Sequence, residues 1–221
     1  MNKVSASRTR LVNEIMDRRI SAIIRSNDQQ FAREAIQAAV DGGFRMVEFT
    51  LTTPGALELI GQFAKRTELL VGAGTVLTVQ QAQESVAAGA RFLVSPIMDP
   101  SIVAEAQRLE VPMIPGTFTP TEMETAHRLG ADFCKLFPAA PGGPEYVRAI
   151  RAPLPHLRIF PTAGITVDNF TEFLNVGCVG VGFVAALFTP DDMARRDYAA
   201  IRARAAQVTQ RLESWQSKSA R

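Results

Sequence analysis

The 221-residue chain predicts a single-domain (β/α)8 TIM barrel with an extra N-terminal helix. Three observations lead there. Eight short β-branched or apolar runs recur roughly every 20–25 residues. Amphipathic helical patterns fall between them, and no Ser-, Pro- or Gly-rich linker divides the series. An open, doubly wound sheet is the competing fold; it loses because no Gly-x-Gly-x-x-Gly turn follows the first run.

The segment near 6–18 reads as a helix closing the lower end of the barrel, within an N-terminal cap of 1–20. Run 21–25 is followed by a helix near 28–41, stopped by Gly42-Gly43. Run 45–51 leads into a helix at 54–66 behind Thr53-Pro54. Run 69–74 precedes a helix at 78–89, which Thr78 starts with Gln81 three residues on and Gly89 ends. Run 91–95 feeds a helix at 100–108 behind Asp99-Pro100. Run 111–115 feeds one at 119–129 between Thr119-Pro120 and Gly130. Runs 132–137 and 157–161 are followed by helices at 144–151 and 167–175, the latter ended by Gly177. Run 178–183 precedes a last helix from about 190 to 215, in a C-terminal segment of 190–221.

Composition narrows the function classes. A net charge of +2 with 47% apolar residues gives no reason to expect nucleic acid or an anionic membrane as partner. No apolar run approaches bilayer-spanning length, and the polar, basic residues 1–10 have no apolar region behind them, unlike a secretory signal. Cys134 and Cys178 sit far apart in apolar runs, as small core residues of a reducing compartment do. His127 and His156 stand apart from each other and from the cysteines in sequence. A zinc site is therefore not expected, nor is any cofactor, and the expected location is cytoplasmic.

Four lysines, Lys3, Lys65, Lys135 and Lys218, stand among 24 basic residues. Only Lys135 lies in an apolar strand, Phe133-Cys134-Lys135-Leu136-Phe137-Pro138. Such an amine either snorkels to solvent or pairs with a carboxylate, or desolvation drives it toward the free base that attacks a carbonyl to form a Schiff base.

In a barrel, chemistry sits at the C-terminal strand ends. Arg25 ends the first run and either lies on the surface or faces an anionic substrate. Side chains alternate between faces along a strand. Lys135 inward places Phe133 and Phe137 inward with it, and Glu48 inward does the same for Met46 and Thr50. The second and sixth strands share parity, so Glu48 and Lys135 can meet across the mouth. Glu48 is then the one inward carboxylate at a strand end, either a proton shuttle or a salt-bridge partner that neutralises the lysine. Asp132 lies at the opposite end of its strand. Thr75 is open to two readings, a helix cap or part of the site.

At this point the residues resemble a known family. Val47-Glu48-Phe49-Thr50-Leu51, Gly72-Ala73-Gly74-Thr75-Val76-Leu77, Ser95-Pro96, Ile114-Pro115-Gly116, Lys135-Leu136-Phe137-Pro138 and Pro161-Thr162-Ala163-Gly164-Ile165 occur in this order over about 22–188. Together they are similar to the 2-keto-3-deoxy-6-phosphogluconate (KDPG) aldolases and the related 2-dehydro-3-deoxy-6-phosphogalactonate aldolases, class I enzymes working through a lysine Schiff base. The resemblance implies Lys135 as the Schiff-base lysine and Glu48 as general acid/base. It implies Thr75 and Pro115-Gly116 along the pyruvate half of the site, and Thr162 against the hydroxylated part of a 2-keto acid substrate. It also implies a homotrimer that needs no metal.

Two departures accompany it. The KDPG branch places an arginine just after the glutamate, where this chain has Thr52, as the phosphogalactonate branch also lacks that arginine; Arg25 is the candidate to take over anion binding. After the eighth strand the family offers Gly and Ser to a phosphate, where this chain reads Gly182-Phe183-Val184-Ala185-Ala186. Phe183 and Val184 are expected to form a bulkier apolar wall, leaving the backbone at Ala163-Gly164 and a following helix start for an anion. The expected activity is cleavage of a 2-keto-3-deoxy-(6-phospho) sugar acid to pyruvate and an aldehyde. The alternatives are an aldolase for a smaller or unphosphorylated 4-hydroxy-2-keto acid such as 4-hydroxy-2-oxoglutarate, and a silent barrel that only binds a keto acid.

Overall fold

Strand alternation sorts the apolar side chains into two cores. In the computed structural model, which describes residues 5–219, one face of each strand packs on helices and the other faces inward. Val47, Phe49, Cys134 and Leu136 belong to the outer, helix-covered core. Met46, Phe92, Phe133 and Phe160 belong to the inner one. This is the parity read from the sequence.

The architecture is α/β with parallel strands throughout. Helix α1 (Ala6–Arg18) precedes β1 (Ile20–Ile24). Then come α2 (Gln29–Asp41), β2 (Met46–Thr50), α3 (Ala56–Phe63), β3 (Leu70–Gly74) and α4 (Val79–Ala87). They are followed by β4 (Phe92–Val94), α5 (Pro100–Arg108), β5 (Met113–Ile114), β6 (Gly116–Thr117) and α6 (Pro120–Arg128). The series continues with β7 (Cys134–Leu136), α7 (Gly143–Arg151), β8 (Ile159–Pro161), α8 (Phe170–Asn175) and β9 (Val181–Phe183). Helices α9 (Pro190–Arg195) and α10 (Tyr198–Ser219) close the chain. Six strands pair in the order β5-β4-β3-β2-β1-β9 and three in the order β6-β7-β8. All eight expected runs contain strand. The fifth is divided at Pro115, whose nitrogen carries no proton for a ladder, so β5 pairs with one sheet and β6 with the other. Thr162, just past β8, bridges Gly182 of β9 in parallel.

Helix starts follow the expected chemistry at Thr78, Asp99 and Thr119, whose side chains accept from the backbone N–H of Gln81, Ser101 and Glu122. Thr53 departs from it. Helix α3 begins at Ala56 behind Gly55, while Thr53 Oγ1 accepts from Ser26 N at 3.2 Å and ties the β1 loop to the β2 loop. The single helix expected over 190–215 is two. Arg196 is left-handed at φ +53°, and Asp197 restarts the chain by accepting from Ala200 N at 2.9 Å. No described helix is long and apolar enough to cross a membrane. Cys134 and Cys178 are free and buried, and burial pushes both thiols up to about 12. His127 and His156, distant in sequence, lie side by side with ring centroids 4.8 Å apart. His156 bonds Glu124 at 2.9 Å.

Helix α1 closes the inner core from below. Leu11, Val12 and Ile15 pack with Met46, Leu70, Phe92 and Phe133; residues 1–4 of the expected cap lie outside the described residues. Arg8 fastens it through a buried ion pair to Asp132 at 2.7 Å, each side chain 8% exposed. Asp132 Oδ2 also accepts from Met113 N. Removing one partner strands the other charge, which typically costs about 3–5 kcal/mol. Arg8→Met is therefore expected to lower unfolding free energy by about 3 kcal/mol in urea titration. The double variant Arg8→Met/Asp132→Asn recovers much of that loss. Burial raises the Asp132 carboxyl above its ordinary value, and Arg8 opposes the rise. Without Arg8 it rises further, and a carboxyl raised in the folded state costs stability as pH increases through that value. The Arg8→Met deficit should accordingly shrink as pH falls below the ordinary carboxylate range.

Candidate active site

The C-terminal strand ends surround a cavity of about 410 Å³. Arg25, Glu48, Lys135 and Phe137 line it with the loop 162–166 and Val184, Ala185 and Ala186. Lys135 comes from the middle of β7 and is 7% exposed; Glu48 comes from β2 and is 2% exposed. Glu48 fits only because Gly74 on the neighbouring strand has no side chain, since a Cβ there would overlap its carboxylate. Lys135 Nζ lies 4.9 Å from the Phe137 ring centroid. Among the described residues, neither Glu48 nor Lys135 forms a salt bridge within 4.0 Å, which leaves both groups free for a substrate.

Electrostatics push the two in opposite directions. Burial raises the Glu48 carboxyl, while Lys135 and Arg25 oppose the rise. Burial lowers the Lys135 amine; Glu48 opposes this and the positive charge of Arg25 adds to it. Both shifts favour a protonated acid beside a free amine. That is the state a nucleophilic lysine requires.

A buried amine, a buried acid and a cation thus share one strand-end cavity. The family model for KDPG and KHG aldolases matches residues 11–204. The chain belongs to this aldolase family. It is 34% identical over 178 residues to the probable 2-dehydro-3-deoxy-6-phosphogalactonate aldolase of Rhizobium meliloti, covering 79% of this chain and 84% of that protein. It is 41% identical over 140 residues to the 2-dehydro-3-deoxy-phosphogluconate aldolase of Treponema pallidum, covering 62% and 67%. Among solved structures it is similar to the KDPG aldolase of Legionella pneumophila with pyruvate captured as a covalent carbinolamine. There the TM-score is 0.81 at 28% identity, over 89% of this chain and 97% of that one.

Against this family background the other expected residues sort by position. Thr162, Ala163, Gly164 and Val184 line the cavity, and Thr162 Oγ1 is buried without a hydrogen-bond partner among the described residues. Arg25 reaches the cavity and donates from Nη2 to Thr75 Oγ1 at 3.3 Å. Thr75, at φ +59°, is thus a partner of Arg25 and not a helix cap; Thr78 has that role. Pro115 and Gly116 touch Lys135 through backbone: Lys135 N donates to Pro115 O at 2.9 Å, and Gly116 is its ladder partner.

Three expectations need correction. Thr52 does not face the cavity. The chain turns outward after β2, Thr52 bonds Thr50 at 3.0 Å, and it lines a separate depression with Pro54 and Glu58. Phe183 is no wall of the site, because β9 parity sends its ring outward between Phe44 and Phe170, at centroid distances of 5.9 and 5.5 Å. The helix expected from 167 starts only at Phe170. Asn169 Oδ1 accepts from Thr166 N at 2.8 Å and Asn169 Nδ2 donates to Gly164 O at 2.9 Å. These bonds hold 166–169 as a turn, so no helix N-terminus adjoins Gly164.

Several lining residues were not singled out from the sequence as site residues: Ile23, Phe137, Ile165, Thr166 and Ala186. Parity was a signal for the first two, since Ile23 shares a face with Arg25 and Phe137 with Lys135. Loop residues Ile165, Thr166 and Ala186 carry no comparable periodic signal.

Proposed function

We propose that the chain is a class I aldolase that cleaves a 2-keto-3-deoxy-6-phospho sugar acid to pyruvate and an aldehyde, on a single-domain, closed (β/α)8 barrel. The observation carrying this reading is the buried Lys135 amine sharing one cavity with the buried Glu48 carboxyl. The amine adds to the ketone of the substrate, and loss of water gives an iminium. That iminium draws electrons from the adjacent carbon–carbon bond, releasing the aldehyde and leaving an enamine. Protonation and hydrolysis then free pyruvate and the lysine. Glu48 passes the protons, directly or through one water. Arg25, fixed by Thr75, takes an anionic group of the substrate. Thr162, which lines the cavity, stands beside the hydroxylated part of the substrate. The continuity of β5 with β6 and the Thr162–Gly182 bridge support closure of the two sheets.

The smaller-substrate and binding-only readings are weaker. A raised acid beside a lowered amine serves turnover and is costly for a mere binder. Two free, buried cysteines suit a cytoplasmic enzyme. Exposed Leu77, Ile97 and Phe118 follow strands β3, β4 and β6 and support assembly as a homotrimer.

The phosphate end decides the substrate's finer identity. Val184, Ala185 and Ala186 bring no hydroxyl to the cavity. Arg25 and the 163–166 loop are then the anion contacts that remain. The deciding experiment is pyruvate release over a panel of phosphorylated and free keto-deoxy acids. It should show turnover with a weak preference for 6-phosphate in kcat/KM. Ala185→Ser should move that preference toward phosphate by up to about tenfold, through one added hydrogen bond to a charged group. No pyruvate from any substrate overturns the aldolase reading. A strong phosphate preference in the unmodified protein overturns the reading of this loop.

A further inference from the structure

Beside the Lys135–Glu48 pair, toward the inner core of Phe92 and Phe160, lies a second, much smaller space of about 10 Å³. It is lined by Ser21, Glu48, Lys135 and Thr162 together with Phe92 and Phe160. That volume is close to the least that admits one water molecule, and a buried water needs two to four polar partners. Here four converge. Two of them, Ser21 Oγ and Thr162 Oγ1, are buried without any hydrogen-bond partner among the described residues, on side chains 1% and 2% exposed. Orphaned hydroxyls in an apolar interior are costly and uncommon, and a bridging water is the usual remedy. Ser21 is also the odd residue on its face: Ile23 above it is apolar, and nothing in the expected aldolase chemistry calls for a hydroxyl at this depth.

We propose that Ser21 is a positioning residue which, with Thr162, holds a single buried water beside the Glu48 and Lys135 head groups. This deepens the aldolase reading and rests on it for its catalytic meaning, although the water site itself does not depend on it. The ionisable groups facing this interior are Glu48 on β2, Lys135 on β7 and, at the mouth, Arg25 after β1. The other residues lining the space, Phe92 and Val94 of β4, Ile114 of β5 and Phe160 of β8, are all apolar. The water is therefore the local solvent of the pair. It stabilises the charged forms that burial penalises, and keeps the amine and the acid able to exchange a proton.

Ser21→Val and Ser21→Thr test this as near-isosteres that differ in a methyl for a hydroxyl. A high-resolution crystal structure of the unmodified protein should show one ordered water within hydrogen-bond distance of both Ser21 and Thr162. Reductive methylation of Lys135 with formaldehyde, followed across pH by peptide mass mapping, reports the amine's protonation without any aldolase turnover. Removing the water disfavours the ammonium. The midpoint should therefore move to lower pH in Ser21→Val by about half a unit, roughly threefold in the protonation equilibrium, and stay in place in Ser21→Thr. Should Ser21→Val not fold, Ser21→Ala against the unmodified protein removes the hydroxyl alone and should shift the midpoint the same way. Equal midpoints in the variants with and without the hydroxyl, or no ordered water between the two hydroxyls, overturn the proposal. Failure of the aldolase reading is seen separately, as absence of pyruvate release with the water in place.

Discussion

Lys135→Ala should fold, yet yield no borohydride-trapped pyruvate adduct and lose turnover on the order of 10⁵-fold or more, the scale seen when a covalent nucleophile is removed. Access and protonation decide the outcome. Reduction traps an iminium only where a free amine has met the keto acid. Among the described residues, Lys135 is the lysine whose amine is both lowered by burial and set in the strand-end cavity. Lys65 and Lys218 are exposed and do not line the cavity. Lys3 lies outside the described residues. Mass mapping of the unmodified protein after reduction with pyruvate should place the adduct on the peptide containing Cys134-Lys135-Leu136. An adduct found only on Lys3, Lys65 or Lys218, or one that persists in Lys135→Ala, removes Lys135 from its role. Substitution also lifts the desolvation penalty of a buried amine, so circular dichroism and thermal melting should show a folded protein in which the loss is chemical.

The sequence made the strand faces legible because alternation is a covalent fact. Once Lys135 and Glu48 were set inward, Met46, Phe133 and Phe137 followed, as did the outward packing of Val47, Phe49 and Cys134. The same rule, applied to the last strand, would have sent Phe183 outward. The expectation for it came instead from likeness to a loop that binds phosphate, and the ring sits between Phe44 and Phe170. Thr52 misled for a related reason. It follows Glu48 by an even number of positions, but the strand ends at Thr50, and beyond a strand end parity no longer governs direction. Side-chain bonds that rewrite a helix start, as Asn169 does with Thr166 and Gly164, depend on loop geometry that no periodic pattern encodes. The nearness of His127 to His156 is likewise tertiary, created by α6 lying beside the loop before β8. Ser21 was read only as part of an apolar run, because its significance lies in what it fails to touch.

Glu48→Gln separates proton transfer from bond formation. The variant keeps the shape of the side chain beside Gly74 but cannot give or take a proton at the position Glu48 holds. It should still form some trapped pyruvate adduct on Lys135, because the amine remains. Turnover should fall by roughly two to four orders of magnitude, the range for losing a general acid–base group. The pH dependence carries a sign as well. When ionised, Glu48 raises the Lys135 amine while burial lowers it, so its removal lets the amine go lower still. Adduct formation in Glu48→Gln should therefore begin at lower pH than in the unmodified protein, even as turnover collapses. The measurements are single-turnover adduct yield and kcat across pH in the two proteins. Near-normal kcat in Glu48→Gln would show that another group or a water carries the proton. A shift of adduct formation toward higher pH would mean that Glu48 does not act on the lysine through its charge.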